Sequence, residues 1–110
     1  MIEFTVEVTA AAERDIFNTI GYISKNLDAP QAASDHMDAI DDALDNLAIS
    51  PFNHPFVRDE KLARIGFRWV SVKNYTLFYI VNQADAKVKV MRFLYTKCDW
   101  QQLLGGEIQA

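Results

Sequence analysis

A single cysteine, Cys98, stands in a chain of 110 residues, so no internal disulfide can form and a packed core must hold the fold. Such cysteine usage suits a reducing compartment, and a cytoplasmic protein is expected. No apolar run approaches the roughly 18 residues that a membrane-spanning helix needs, so no membrane association is expected. The opening Met1-Ile-Glu-Phe-Thr-Val-Glu-Val8 alternates, where a signal peptide would place a charged region before an apolar block. Internal repeats and low-complexity tracts are missing as well. So are basic side chains in the first half: residues 1–50 carry Arg14 and Lys25 against ten carboxylates, whereas residues 51–110 carry nine basic groups against five acidic ones. The formal net charge of −4 therefore hides an acidic half and a basic half. Asymmetry of this kind points to an anionic partner for the basic half.

The length fits one domain over residues 1–110, and a 50% hydrophobic fraction supplies an ordinary core. Ile2, Phe4, Val6 and Val8 alternate with polar residues, which predicts a half-buried strand. Thr9 offers a helix cap, and Ala12, Ile16, Ile20, Ile23 and Leu27 follow helical spacing, giving a helix over about 10–27. Pro30 suits a first helical position, and Ala33, Met37, Ile40, Leu44 and Leu47 extend a second helix to about 48. A turn-rich loop runs from Ser50 to about Lys61. Strands are predicted near 63–72, 75–82 and 87–95, joined by short turns as an antiparallel meander. A short terminal helix over Cys98–Leu104 is expected to stop at Gly105-Gly106. The order β-α-α-β-β-β, with this last helix, defines an α+β fold: a helical hairpin packed on one face of a mainly antiparallel four-stranded sheet.

The basic residues crowd onto the three later strands. On 63–72, strict alternation sends Ala63, Ile65, Phe67 and Trp69 toward the helices. Arg64, Gly66, Arg68 and Val70 are left on an uncovered face, where Gly66 admits a partner closely. With Lys73, Arg92 and Lys97, these arginines are expected to converge on one open flank.

The ordered motifs resemble the RelE/ParE superfamily of toxins from type II toxin–antitoxin systems. They are Ala12-Glu-Arg-Asp-Ile16 with Ile20-Gly-Tyr-Ile23, then Leu44-Asp-Asn-Leu47-Ala-Ile-Ser-Pro51. Gly66-Phe-Arg68-Trp69 and Asn74-Tyr75-Thr-Leu-Phe78-Tyr79-Ile-Val81 follow, and Val90-Met-Arg92-Phe-Leu-Tyr95 with Asp99-Trp100 closes the set. The resemblance implies a cytoplasmic growth inhibitor of plasmid-stabilisation type, neutralised by a cognate antitoxin. RelE-like members cut mRNA in the ribosomal A site, and ParE-like members poison DNA gyrase. The long hairpin and the tail Arg92-Phe-Leu-Tyr-Thr-Lys-Cys-Asp-Trp100 look more like the ParE branch, where many members read Arg-x-Leu-His. Here Tyr95 replaces that histidine, and Thr96 and Cys98 thin the basic tail. A diverged member that only binds its antitoxin is a further alternative.

For a nuclease, Arg68 and Arg92 would grip a phosphate while Tyr95 or Lys97 moved a proton. Neither His36 nor His54 is well placed in the sequence, and tyrosine is a weak base at its ordinary pKa. A gyrase poison asks only for a surface. Arg64, Arg68, Lys73, Arg92, Tyr95, Lys97 and Trp100 are the expected contacts with target or antitoxin. Phe67, Trp69, Tyr75, Tyr79, Met37 and Met91 read as core. Cys98 reads as a bystander, and Asp35, Asp38, Asp41, Asp42 and Asp45 as a solvated helix face rather than a metal site. No cofactor is expected. Nor is direct duplex DNA binding, since neither long helix carries a basic face.

Overall fold

The structure is a computed structural model that describes residues 3–109. Ile2, the first position of the N-terminal alternation, lies outside the described residues. Strand β1 (Thr5–Val8) leads directly into helix α1 (Ala10–Gly21). Thr9 makes that junction. Its Oγ1 accepts from the Ala12 N–H at 3.2 Å, its own N–H donates to the Val90 carbonyl at 3.1 Å, and its hydroxyl lies within 2.9 Å of that carbonyl and 3.1 Å of Met91's. One residue thus caps the helix and extends the strand ladder. A π-helical turn (Tyr22–Asn26) follows. Its wider winding leaves Ile23 buried but rotates Leu27 off the apolar stripe, so Leu27 is 55% exposed, contrary to the helical spacing. Asp28 turns the chain with φ 50°, and α2 (Pro30–Ile49) starts on Pro30.

The sheet order is β1-β4-β3-β2, formed with β2 (Arg68–Val72), β3 (Tyr75–Asn82) and β4 (Lys87–Tyr95). β1 runs parallel to β4, and the other two pairings are antiparallel. The hairpin α1–α2 covers one face, where Ala12, Ile40, Leu47, Val72, Leu77, Tyr79, Val88, Val90 and Phe93 make the main core.

Three expectations are corrected here. The strand expected over about 63–72 begins only at Arg68, and its first residues, with the end of the expected loop, form a short helix, α3 (Glu60–Ile65). Asp59 caps it by accepting from the Leu62 N–H at 3.0 Å. Gly66, at φ 115°, closes it in a Schellman motif: its N–H reaches the Ala63 carbonyl and the Phe67 N–H that of Leu62. Second, the far face of the sheet is not open. α3 and helix α4 (Trp100–Gln109) lie over it, and Val57, Leu62, Phe67, Phe78, Leu94 and Leu104 form a second buried cluster there. Phe67 therefore belongs to the far face, and Val70 and Val72 belong to the helical side, the reverse of the expected assignment. Third, α4 continues through Gly105-Gly106 to Gln109.

Candidate functional site

The expected convergence of guanidinium groups on one open flank does not occur, because local partners claim each of them. Arg64 sits on α3 and pairs with Glu60 at 3.0 Å in an exposed i,i+4 contact, worth only tenths of a kcal/mol. Arg68 leans to the helical side. Its Nη1 donates to the His54 carbonyl at 2.6 Å, and its guanidinium stacks 3.9 Å from the Phe56 ring centre and 5.4 Å from that of Phe52. It pins the 50–57 loop against the sheet.

Arg92 is clamped by Asp15 of α1. Asp15 Oδ2 accepts from Arg92 Nε at 2.6 Å and from the Phe93 N–H at 3.0 Å, while Oδ1 accepts from Arg92 Nη2 at 3.0 Å. Both side chains are mostly buried, at 16% and 14% exposure. The topology explains the clamp. β1 pairs with β4 only as far as Val8 and Val90, so the β4 edge beyond that point lacks a neighbouring strand. A helix carboxylate takes its place at Phe93, and the fork of Arg92 completes a bidentate pair.

The remaining expected residues do come together. The turn Lys73-Asn74 and the end of β4 meet through the Thr96 N–H to Asn74 carbonyl bond (3.0 Å) and the Tyr75–Tyr95 register. Lys73, Tyr95 and Lys97 border one polar cleft of about 320 Å³ with Ser71, Asn74 and Thr96, and no carboxylate among the described residues lines it. Trp100 lines a neighbouring apolar cleft of about 280 Å³ with Trp69, Phe78, Val57 and Arg58. The two share Thr96, whose hydroxyl is 2.9 Å from that of Thr76.

On the other side of Tyr95, an aromatic cleft of about 460 Å³ opens beneath the π-helical turn. Tyr22, Leu27, His36, Tyr75 and Tyr95 line it. His36 was not expected in any site. The helical spacing that sets it on α2 was legible, but the contact of α2 with the β3–β4 end was not. Its Nδ1 lies 3.0 Å from the Ala32 carbonyl, which can only accept, so in the neutral ring Nε2 is the unprotonated nitrogen.

Two other groups are inert. Tyr79 is fully buried, donates its hydroxyl to the Pro51 carbonyl at 2.7 Å, and has its pKa pushed up to about 12 by burial, against a smaller opposing pull from Arg68. Burial, with Asp99 nearby, also raises the Cys98 thiol, which disfavours the thiolate a nucleophile needs. Trp69 is 37% exposed, more open than a core residue. Among the described residues no cluster of His, Cys, Asp and Glu is arranged to hold a metal, and no helix is long and apolar enough to cross a membrane.

The helical hairpin over a four-stranded sheet recurs in solved toxin–antitoxin proteins. A chain of the RelBE2 complex from Mycobacterium tuberculosis is 19% identical, with a TM-score of 0.61 over 86% of this chain and 99% of that one. A chain of the chromosomal ParDE system from P. aeruginosa is 12% identical, with a TM-score of 0.69 over 86% of this chain and 98% of that one. At these identities the likeness shows the fold alone. The sequence profile described as ParE toxin of type II toxin–antitoxin system, parDE, matches residues 6–100, and the chain belongs to that family. No curated protein matches the sequence.

Proposed function

We propose that this toxin arrests bacterial growth by poisoning DNA gyrase, and that a cognate antitoxin neutralises it. The observation that carries the reading is the ParE-family match across residues 6–100. The geometry supports it. A ribonuclease of the kind considered above would use Arg92 on the scissile phosphate, yet Asp15 holds both the Nε and an Nη of that side chain. A poison needs a recognition surface only, and the rim of Lys73, Tyr95 and Lys97 beside Trp100 supplies cations and aromatic anchors without such a constellation. Arg64, Arg68 and Arg92 do not line that rim; Arg68 is engaged with the His54 carbonyl and Arg92 with Asp15. Both similar complexes contain a second component, which supports an antitoxin partner here. The test is induced expression in a bacterium with pulse labelling: DNA synthesis falls before translation if gyrase is the target, and the reverse order refutes it.

One observation favours a second reading, ribosome-dependent mRNA cleavage. His36 and Tyr95 line the same cleft, an imidazole and a phenol that could share proton transfer, and Tyr95 also borders the cleft of Lys97. Cuts in mRNA in a translation extract, abolished by His36→Gln, would establish this reading and remove the first.

A further inference from the structure

Strand β2 is the terminal strand of the sheet, and among the described residues only its first half is paired on the outside. The Val57 N–H donates to the Phe67 carbonyl at 3.0 Å, the Trp69 N–H donates to the Pro55 carbonyl at 3.2 Å, and Phe56 bridges Arg68. The loop departs there. In an antiparallel ladder the outward-facing backbone groups recur every second residue, so Ser71 presents its N–H and carbonyl to the same side as Trp69. Ser71 is exposed. An unpaired edge of this kind is a template for another strand.

Two clefts flank this open edge on opposite faces of the sheet. The cleft of about 300 Å³ on the helical side lies between Val70 and the Ala39 and Asn46 positions of α2, and the cleft of about 320 Å³ on the far side lies between Lys73 and Lys97. Ser71 and Lys73 line both. Successive side chains of an extended strand point to opposite faces, so a segment laid on this edge would seat them alternately in the two clefts. The charge selects the occupant. Lys73, Lys97 and, further along, Arg58 border the far-side clefts, which no carboxylate among the described residues lines, whereas the helical-side cleft carries Asp42.

We propose that the Ser71–Lys73 edge of β2 receives an extended acidic segment of the neutralising protein as a fifth strand, with its acidic side chains on the Lys73–Lys97 side. This rests on the reading above that such a partner exists. Occupancy would cover the basic rim, so neutralisation and target recognition would compete for Lys73 and Lys97.

The experiment takes the full chain with the protein encoded beside it, measuring hydrogen exchange of residues 68–74 and the affinity of Ser71→Pro and Lys97→Glu. Proline removes only an outward N–H on an edge strand. Expected are slowed exchange at Ser71 in the complex, about tenfold weaker binding for Ser71→Pro, and about fivefold weaker, less salt-dependent binding for Lys97→Glu. Circular dichroism checks that Ser71→Pro folds; exchange in the unmodified chain and the exposed Lys97→Glu decide the matter if it does not. A tight complex with Ser71 unprotected and both affinities unchanged overturns the strand docking and leaves the antitoxin reading standing. No complex at all overturns both. Protection of Ser71 that appears in the chain alone, together with a dimer mass, assigns the edge to a second copy and also overturns the proposal.

Discussion

Replacing Asp15 by alanine removes one carboxylate and three short contacts: two from the Arg92 guanidinium, at 2.6 and 3.0 Å, and one from the Phe93 N–H at 3.0 Å. At 16% and 14% exposure the pair is too buried for water to replace the lost acceptor fully. Breaking a buried pair from one side costs about 3–5 kcal/mol, and partial exposure argues for the lower end. With a urea dependence of about 1.5 kcal/mol per molar for a domain of this size, a loss of about 3 kcal/mol moves the midpoint down by about 2 M. The assay is equilibrium urea unfolding followed by circular dichroism, with Arg92→Met and the double variant completing a cycle. Coupling of at least about 1.5 kcal/mol is expected, because Asp15 holds the Arg92 fork and an otherwise strandless backbone edge together. The double variant should recover part of the loss, since a matched apolar pair avoids the desolvation of both charges. An Asp15→Ala loss below about 1 kcal/mol, or coupling near zero, refutes the view that the clamp holds the β4 edge.

Other outcomes follow from the same contacts. The hydroxyl of Tyr79 has a folded pKa of about 12 against 10.0 unfolded, so the folded state retains its proton over a range where the unfolded chain loses it. The associated stability is complete below pH 10 and fades as pH rises toward 12, by up to about 2–3 kcal/mol; Tyr79→Phe should flatten that part of the stability–pH curve, measured by chemical denaturation. Gly66→Ala should lower stability by about 1–2 kcal/mol in thermal unfolding. The added methyl would meet only Ile80 Cγ2 at 3.6 Å, so the cost is the φ of 115° itself. The double charge reversal Lys73→Glu, Lys97→Glu should leave the melting temperature within a few degrees, as expected for exposed charges, while relieving growth arrest on induction. Arrest that persists unchanged would move the target surface elsewhere.

The parts of the fold that rest on long periodic patterns were legible. Strands β3 and β4 fall where alternation and turn chemistry put them, and α2 starts on its proline. The stretch 60–72 was not, for a physical reason. Ala63, Ile65, Phe67 and Trp69 alternate with Arg64, Gly66 and Arg68, which imitates a strand, but Asp59 and Gly66 bracket one short helix, and the Glu60–Arg64 pair sits at helical spacing. Once the chain leaves that helix at Gly66, Phe67 follows Leu62 into the far-face cluster, and the facing of β2 is reversed. The candidate site was legible in composition and not in geometry. Lys73, Tyr95 and Lys97 meet because two strand ends adjoin. Arg92 looked equally available in the sequence, but its partner Asp15 lies 77 residues away, beyond the reach of local patterns.

Supercoiling by purified gyrase in the presence of the purified chain bears most directly on the proposed activity. Loss of supercoiling with accumulation of enzyme-trapped, cleaved DNA is the predicted result, weakened in the Lys73→Glu, Lys97→Glu variant. Unimpaired supercoiling at excess toxin, with no trapped DNA, would contradict it.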